Sequence, residues 1–239
     1  MSDYRFGKAA LLLLACLAAA PAGAAGPGSK FKRVADEKST SPDGQVRIEQ
    51  YVDKSSDDWV YQFWAFDPKR RGVLLNPGEN TDLAGYRAGF RFSPDSQWLV
   101  RMQKTGAGFH TLFLYRRSGH QFAAATAKPL GELAWDYFYS QPVAREIKRE
   151  AKDHDSLSHV QVHLIKGLED NYAALKQHWP PNRYIALSLN FDAQGEETPL
   201  PWVEDWRCVY DLKTGEFSIP PAFAGHNAKT VNFPDPARK

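Results

Sequence analysis

His154, His159 and His163 lie within ten residues of one another. On a strand, positions 159, 161 and 163 point to one side, so His159, Gln161 and His163 form a row while Val160, Val162 and Leu164 face a core. Two such imidazoles bind zinc only with a third ligand, for which His154 or Asp155 would have to serve. The alternative is the polar face of an amphipathic strand. No second ligand pair of metal spacing accompanies the histidines, so no metal or cofactor is assigned, and His159 and His163 stand as the alternative ligands.

Aromatic residues come next. Read as a strand, Trp135-Asp136-Tyr137-Phe138-Tyr139 sets Trp135, Tyr137 and Tyr139 on one face. Such a face stacks on sugars or grips a partner, or it packs between sheets. Basic residues recur as Lys69-Arg70-Arg71 and Arg116-Arg117, at equivalent turns of two units. If the units stack, Arg70, Arg71, Arg116 and Arg117 share a rim suited to an acidic partner, although exposed turn charges are usually just solvated.

The carboxylate pairs Asp57-Asp58, Glu196-Glu197 and Glu204-Asp205 are adjacent in sequence. Neighbours on a strand point to opposite faces, so adjacency builds no acid–base dyad. Nothing resembles Gly-x-Ser-x-Gly, a phosphate loop, His-Glu-x-x-His or an EF-hand, and no catalytic residue is assigned. Cys208 sits in the strand-like run Trp206-Arg207-Cys208-Val209-Tyr210 and reads as a buried, inert thiol.

The elements that position these residues are marked by turns. Ser41-Pro42-Asp43-Gly44-Gln45 and Ser93-Pro94-Asp95-Ser96-Gln97 each precede an alternating apolar run. Pro presets φ, Asp caps the turn and the fourth position favours positive φ. Strands follow over 46–52 and 59–66, then over 98–103 and 110–115. A weaker copy starts at Asn190-Phe191-Asp192-Ala193-Gln194-Gly195, leads into Trp206–Tyr210 and closes through Asp211-Leu212-Lys213-Thr214-Gly215. The spacing places a degenerate unit near 142, where Pro142–Ala151 and Leu168–Gln177 read as helix around a strand at 159–164. The expectation is a mainly β protein of antiparallel meander units, propeller-like or sandwich-like, with a short, partly helical insertion near 142–178. About four units fill one β-rich domain over 41–239, after a flexible lead-in over 26–40.

Residues 1–25 carry Arg5 and Lys8, an apolar run from Ala9 to Ala20 and small-x-small cleavage sites. That is the layout of a secretory signal peptide. Leu13-Leu14-Ala15-Cys16 resembles a lipobox, but the apolar run continues past Cys16, which favours a cleaved leader over a lipid anchor. No later stretch is long and apolar enough for a transmembrane segment. The net charge is +2, of which the leader's Arg5, Lys8 and Asp3 contribute +1. Such a balance gives no general electrostatic reason to bind nucleic acid or an anionic membrane.

The turns SPDG and FSPDSQWLV, with the closing piece YDLKTG at 210–215, resemble the repeat of TolB-type β-propellers and their WD-like relatives. The resemblance implies a scaffold for proteins, peptides or cell-envelope components, and carries over no catalytic residue. Three or four units are fewer than a closed propeller commonly has, so an open array and a sandwich-like arrangement both stand. The expected function is an exported, periplasmic, non-catalytic binding or scaffold protein for a protein or envelope component. The alternatives are an envelope hydrolase, metal-assisted through His159 and His163, and a periplasmic toxin-neutralising (immunity) protein.

Overall fold

The computed structural model describes residues 26–79, 84–119, 121–145, 147, 161–165, 183–191 and 201–233, with the backbone alone at 36–38. In it the two Ser-Pro-Asp turns share one hydrogen-bond pattern. Ser41 Oγ donates to Asp43 Oδ1 (2.6 Å) and accepts from the Val46 N–H (2.9 Å), while Asp43 Oδ1 accepts from the Gln45 N–H (3.0 Å). Ser93, Asp95, Gln97 and Trp98 repeat the three contacts at 2.6, 2.9 and 3.0 Å. The fourth residue takes positive φ in both turns, 70° at Gly44 and 59° at Ser96. Glycine adopts this freely, whereas serine carries roughly 1 kcal/mol of strain there.

Each turn feeds a meander. β1 (Lys32–Thr40), β2 (Arg47–Asp53), β3 (Val60–Phe66) and β4 (Gly72–Leu74) pair in order as a four-stranded antiparallel sheet. β5 (Ala88–Phe92), β6 (Trp98–Gly106), β7 (Phe109–Ser118) and β8 (Gln121–Ala124) repeat that order. β9 (Gln161–Leu164), β10 (Tyr184–Phe191), β11 (Trp202–Asp211) and β12 (Glu216–Ser218) form a third antiparallel run. A parallel contact, His110 opposite Gln161, fuses the second and third runs into a nine-stranded sheet, which also carries β13 (Val231–Asn232) on β11. The protein is mainly β and antiparallel, as the turns and alternation predict.

Two elements differ from the sequence reading. The stretch expected as a flexible lead-in contains β1. Its residues are polar and charged, and what orders them is long-range: pairing with β2 and burial of Val34. The run containing Trp135, Tyr137 and Tyr139 is not a strand but α1 (Leu130–Ser140). Its buried residues, Leu130, Gly131, Ala134, Trp135 and Phe138, follow helical spacing. Gly131 lets α1 touch β7, because a Cβ there would fall 2.4 Å from Thr111 Oγ1. A second helix, α2 (Pro221–Asn227), follows β12. Residues 144, 145 and 147 are helical, at the start of the expected insertion. The leader with Cys16, the histidines His154 and His159, the helix expected over 168–177 and the turn over 192–195 lie outside the described residues. Among the described residues no helix is long and apolar enough to cross a membrane.

The core has two layers. Leu99, Phe92, Tyr115 and Phe122 of the second meander meet Ile48, Val52, Phe63 and Ala65 of the first. The other face of the large sheet, through Val100, Leu112, Leu114, Leu187 and Leu189, meets α1. Buried Gln50 links the sheets: its side-chain amide donates to the Ala88 carbonyl (2.7 Å) and accepts from the Ala88 N–H (3.1 Å). The two repeated turns also abut, for the Asp43 N–H donates to Ser96 Oγ (3.1 Å) and Arg117 pairs with Asp43 (2.5 Å). These contacts align the strand ends of both sheets. One end carries the Ser-Pro-Asp turns and is called the turn rim. The opposite end, with the β2–β3 and β6–β7 hairpins, is the hairpin rim.

Candidate functional site

Arg70, Arg71, Arg116 and Arg117 all stand at the turn rim, as strand register requires: Phe66 lies opposite Arg47 and Arg116 opposite Trp98. Most of their charge is matched in place. Arg70 donates to both oxygens of Glu49 (2.9 and 3.3 Å), Arg71 pairs with Asp67 (2.6 Å), and Arg183 pairs with Asp211 at the same end (2.7 Å). Arg116 lies with its guanidinium 5.5 Å from the Trp98 ring centroid. Burial works against ionisation of Glu49, but hydrogen bonds from Arg70 and Tyr51 and the charges of Arg47 and Arg70 outweigh it and hold the carboxyl below its ordinary range. At Asp43 burial likewise works against ionisation, but hydrogen bonds from Ser41, the Gln45 N–H and Arg117, with the Arg117 charge, together outweigh it, and the pKa falls to about 2. Arg116, Arg117 and Lys213 also line a cavity of about 690 Å³ between the 116–119 and 211–215 turns.

The aromatic row does not exist as a platform. On α1, Trp135 and Tyr139 share a face, with ring centroids 5.8 Å apart. Tyr137 points elsewhere and stacks on Phe217 (5.4 Å) beside Trp206 (6.1 Å). Trp135 is 8% exposed, so the row is core. Cys208 is buried, and burial pushes its thiol well above the ordinary range, the inert thiol expected.

His163 and Gln161 share a side of β9, with His163 Nε2 2.9 Å from Gln161 Oε1. The His163 ring lies 5.4 Å from that of His110. Burial lowers both imidazole pKa values, opposed at His163 by Asp205 and reinforced at His110 by His163 and Lys104. Among the described residues no three His, Cys, Asp or Glu side chains gather to hold a metal.

A polar network escapes the sequence reading. The register of β10 and β11 shifts between Leu189 and Phe191, and opposite that shift Asp205 takes φ 58°. Asp205 accepts from Ser188 Oγ (2.6 Å) and pairs with Arg207 and with His226 (3.2 Å). Burial raises its pKa, but Arg207 and Ser188 outweigh that and keep it below the ordinary value. Arg207 and Ser188 thus hold Asp205 as an anion, which makes it a weak base. Glu204-Asp205 is legible as a pair, but the bulge is not.

The hairpin rim gathers what the turn rim lacks. Trp59 precedes β3, Tyr86 precedes β5, Phe109 opens β7, Trp202 opens β11 and Phe233 follows β13. Strand direction puts all five at this end, and each is more than a third exposed, Trp59 most at 45%. Lys54 Nζ stands 3.7 Å from the Trp59 ring centroid and Lys104 Nζ 5.2 Å from that of Tyr86. Asp57 and Asp58 are exposed in the β2–β3 hairpin. In the sequence each aromatic is a single residue beside a turn, and only topology collects them.

No family model matches the chain, and no curated protein matches it. Among solved structures it is similar to the crystal structure of TolB from Acinetobacter baumannii, at 13% sequence identity and a TM-score of 0.30. That alignment covers 76% of this chain and 31% of the other.

Proposed function

We propose that this is an exported binding protein without catalysis of its own, which grips a protein or cell-envelope component through its hairpin rim. The observation that carries the reading is the collection of Trp59, Tyr86, Phe109, Trp202 and Phe233 at one end of the strands. Large aromatic side chains left half in water at one edge of a rigid sheet are typical anchors of protein interfaces. The leader-like residues 1–25 support export. The Asp205 network supports a non-catalytic role, since its carboxylate is bound by Arg207, Ser188 and His226 rather than poised to take a proton.

The test is capture from envelope extract by the purified protein and by a Trp59→Ser, Phe109→Ser, Trp202→Ser triple variant. These side chains are surface residues, so the variant folds, which circular dichroism checks. A specific partner retained by the wild type and lost from the variant supports the reading. Equal capture by both overturns the rim assignment, and substrate turnover by a protein that captures nothing overturns the binding role.

A further inference from the structure

β8 pairs with β7 along one edge, and among the described residues no strand pairs with its other edge. The ladder runs one residue past the strand, since the Ala125 N–H donates to the Leu114 carbonyl (2.9 Å). Bonded groups alternate along an antiparallel strand, so Ala123 and Ala125 turn their N–H and C=O to β7 while Phe122 and Ala124 turn theirs outward. The strands that end the two sheets are blunted. β1 carries Lys32 and Arg33 and a register shift beyond them, β4 has three residues, β5 carries Arg91, and β12 carries Glu216 and runs into Pro220. β8 holds no charge, no proline and no register shift, and Ala123, Ala124 and Ala125 are all exposed. An edge left bare in this way is a template for a further strand.

The two faces of this edge open into different cavities. Ala123, Ala124 and Ala125 all line the cavity of about 690 Å³, although neighbours on a strand point to opposite faces, so the edge itself borders that space. Arg116 and Lys213 line it too. Arg116 lies against the Trp98 ring, and among the described residues neither cation pairs with a carboxylate. A second cavity, about 270 Å³, borders Ala124 beside Tyr115, which faces the first meander, away from Arg116. Leu75, Pro77, Phe113 and Pro129 give it an apolar lining, and its Glu79 is taken by buried Arg101 (2.9 Å). A strand added to β8 sends successive side chains into the two cavities in turn. Bonds to the outward backbone groups of Phe122 and Ala124 supply affinity, and the cavities select the pattern. We propose that the free edge of β8 binds an extended segment of a partner protein in which acidic and apolar residues alternate, the acidic ones towards Arg116 and Lys213, the apolar ones towards Leu75 and Phe113. The site is separate from the aromatic hairpin rim.

The experiment is calorimetric titration of the purified full chain at low salt with three end-capped peptides. The first is Asp-Val-Asp-Val-Asp-Val-Asp, the second has the same composition in the order Asp-Asp-Val-Val-Val-Asp-Asp, and the third is the first with its backbone nitrogens methylated. The alternating peptide is expected to bind at one per chain, at least about tenfold tighter than either of the others. Ala124→Pro removes the outward N–H and leaves the bonds to β7, and it costs at least about tenfold in affinity. Arg116→Glu costs as much by reversing the charge that faces the acidic residues. The Trp59→Ser, Phe109→Ser, Trp202→Ser variant changes affinity less than about twofold, so failure here leaves the hairpin-rim reading standing. Four outcomes overturn the proposal: no binding of the alternating peptide, equal binding of the reordered one, equal binding of the methylated one, or an affinity that Arg116→Glu does not move. The methylated peptide tests the edge on the wild-type chain, whether or not Ala124→Pro folds.

Discussion

The two rims carry similar residues to opposite ends. At the turn rim each of four arginines, Arg70, Arg71, Arg117 and Arg183, has a carboxylate within 3 Å, and three of the acids, Asp43, Asp67 and Asp211, belong to the turns themselves. At the hairpin rim, among the described residues, Lys30, Lys32 and Lys54 lie exposed beside an apolar floor of Val34 and Val52, and five aromatics stay open to water. The contrast separates charged residues that hold the fold from aromatics left open to water. The turn rim joins two sheets and needs its ion pairs for registration, whereas the aromatics of the hairpin rim are left more than a third exposed.

That contrast breaks most sharply at Glu49. Its side chain is 1% exposed and faces Arg47 and Arg70, so Glu49→Ala leaves cations without their buried partner and costs about 3 kcal/mol in urea unfolding. A loss below about 1 kcal/mol would mean that the turn rim is no more built than the other.

Asp43→Asn is the next largest effect, about 1–2 kcal/mol at neutral pH, because it weakens the Arg117 pair that links the two turns. The folded pKa of about 2 lies below the unfolded value. The stabilisation is therefore fully present above about pH 4 and is lost as pH falls through about 2. Unfolding curves of wild type and variant should converge across that window, and a gap that persists at pH 2 would assign the effect to the turn's hydrogen bonds instead.

Gly44→Ala costs about 1 kcal/mol through its positive φ alone, since a Cβ there meets nothing within 4 Å. Ser96→Gly at the equivalent position gains back backbone strain but loses the hydroxyl that accepts from Asp43, so thermal unfolding should shift little. The smallest effect belongs to the hairpin rim: Lys32→Glu should leave stability within about 0.5 kcal/mol of wild type, or raise it slightly. A large loss there would show that the exposed cations of the hairpin rim are structural.

Much of the fold was legible because its signals are local. Ser, Pro and Asp specify the two turns through contacts that span five residues or fewer, and alternation then names the strands. The failures have one cause. Trp135, Tyr137 and Tyr139 satisfy a period of two, yet Leu130, Ala134, Trp135 and Phe138 satisfy the helical period over a longer span, and packing on the large sheet decides for the helix. β1 reads as a linker because its own residues favour nothing, and β2 supplies the order. The candidate site was hardly legible: the arginines were placed at one rim and Asp67 is local to Arg71, but the carboxylates that match Arg70 and Arg117, and the aromatics gathered at the other rim, come from separate segments.

From the sequence alone came the repeated turn, the antiparallel β class, the buried Cys208 and the common rim of Arg70, Arg71, Arg116 and Arg117. Each depends on neighbours in the chain or on the fixed two-residue alternation of a strand. Tertiary structure alone decided that Asp43 meets Ser96 and Arg117, that Asp205 is strained at a bulge, and that Lys30, Lys54 and Arg87 converge on one cavity. Those are distances between residues far apart in the chain, which no local propensity encodes and which only the packing of one sheet on another sets.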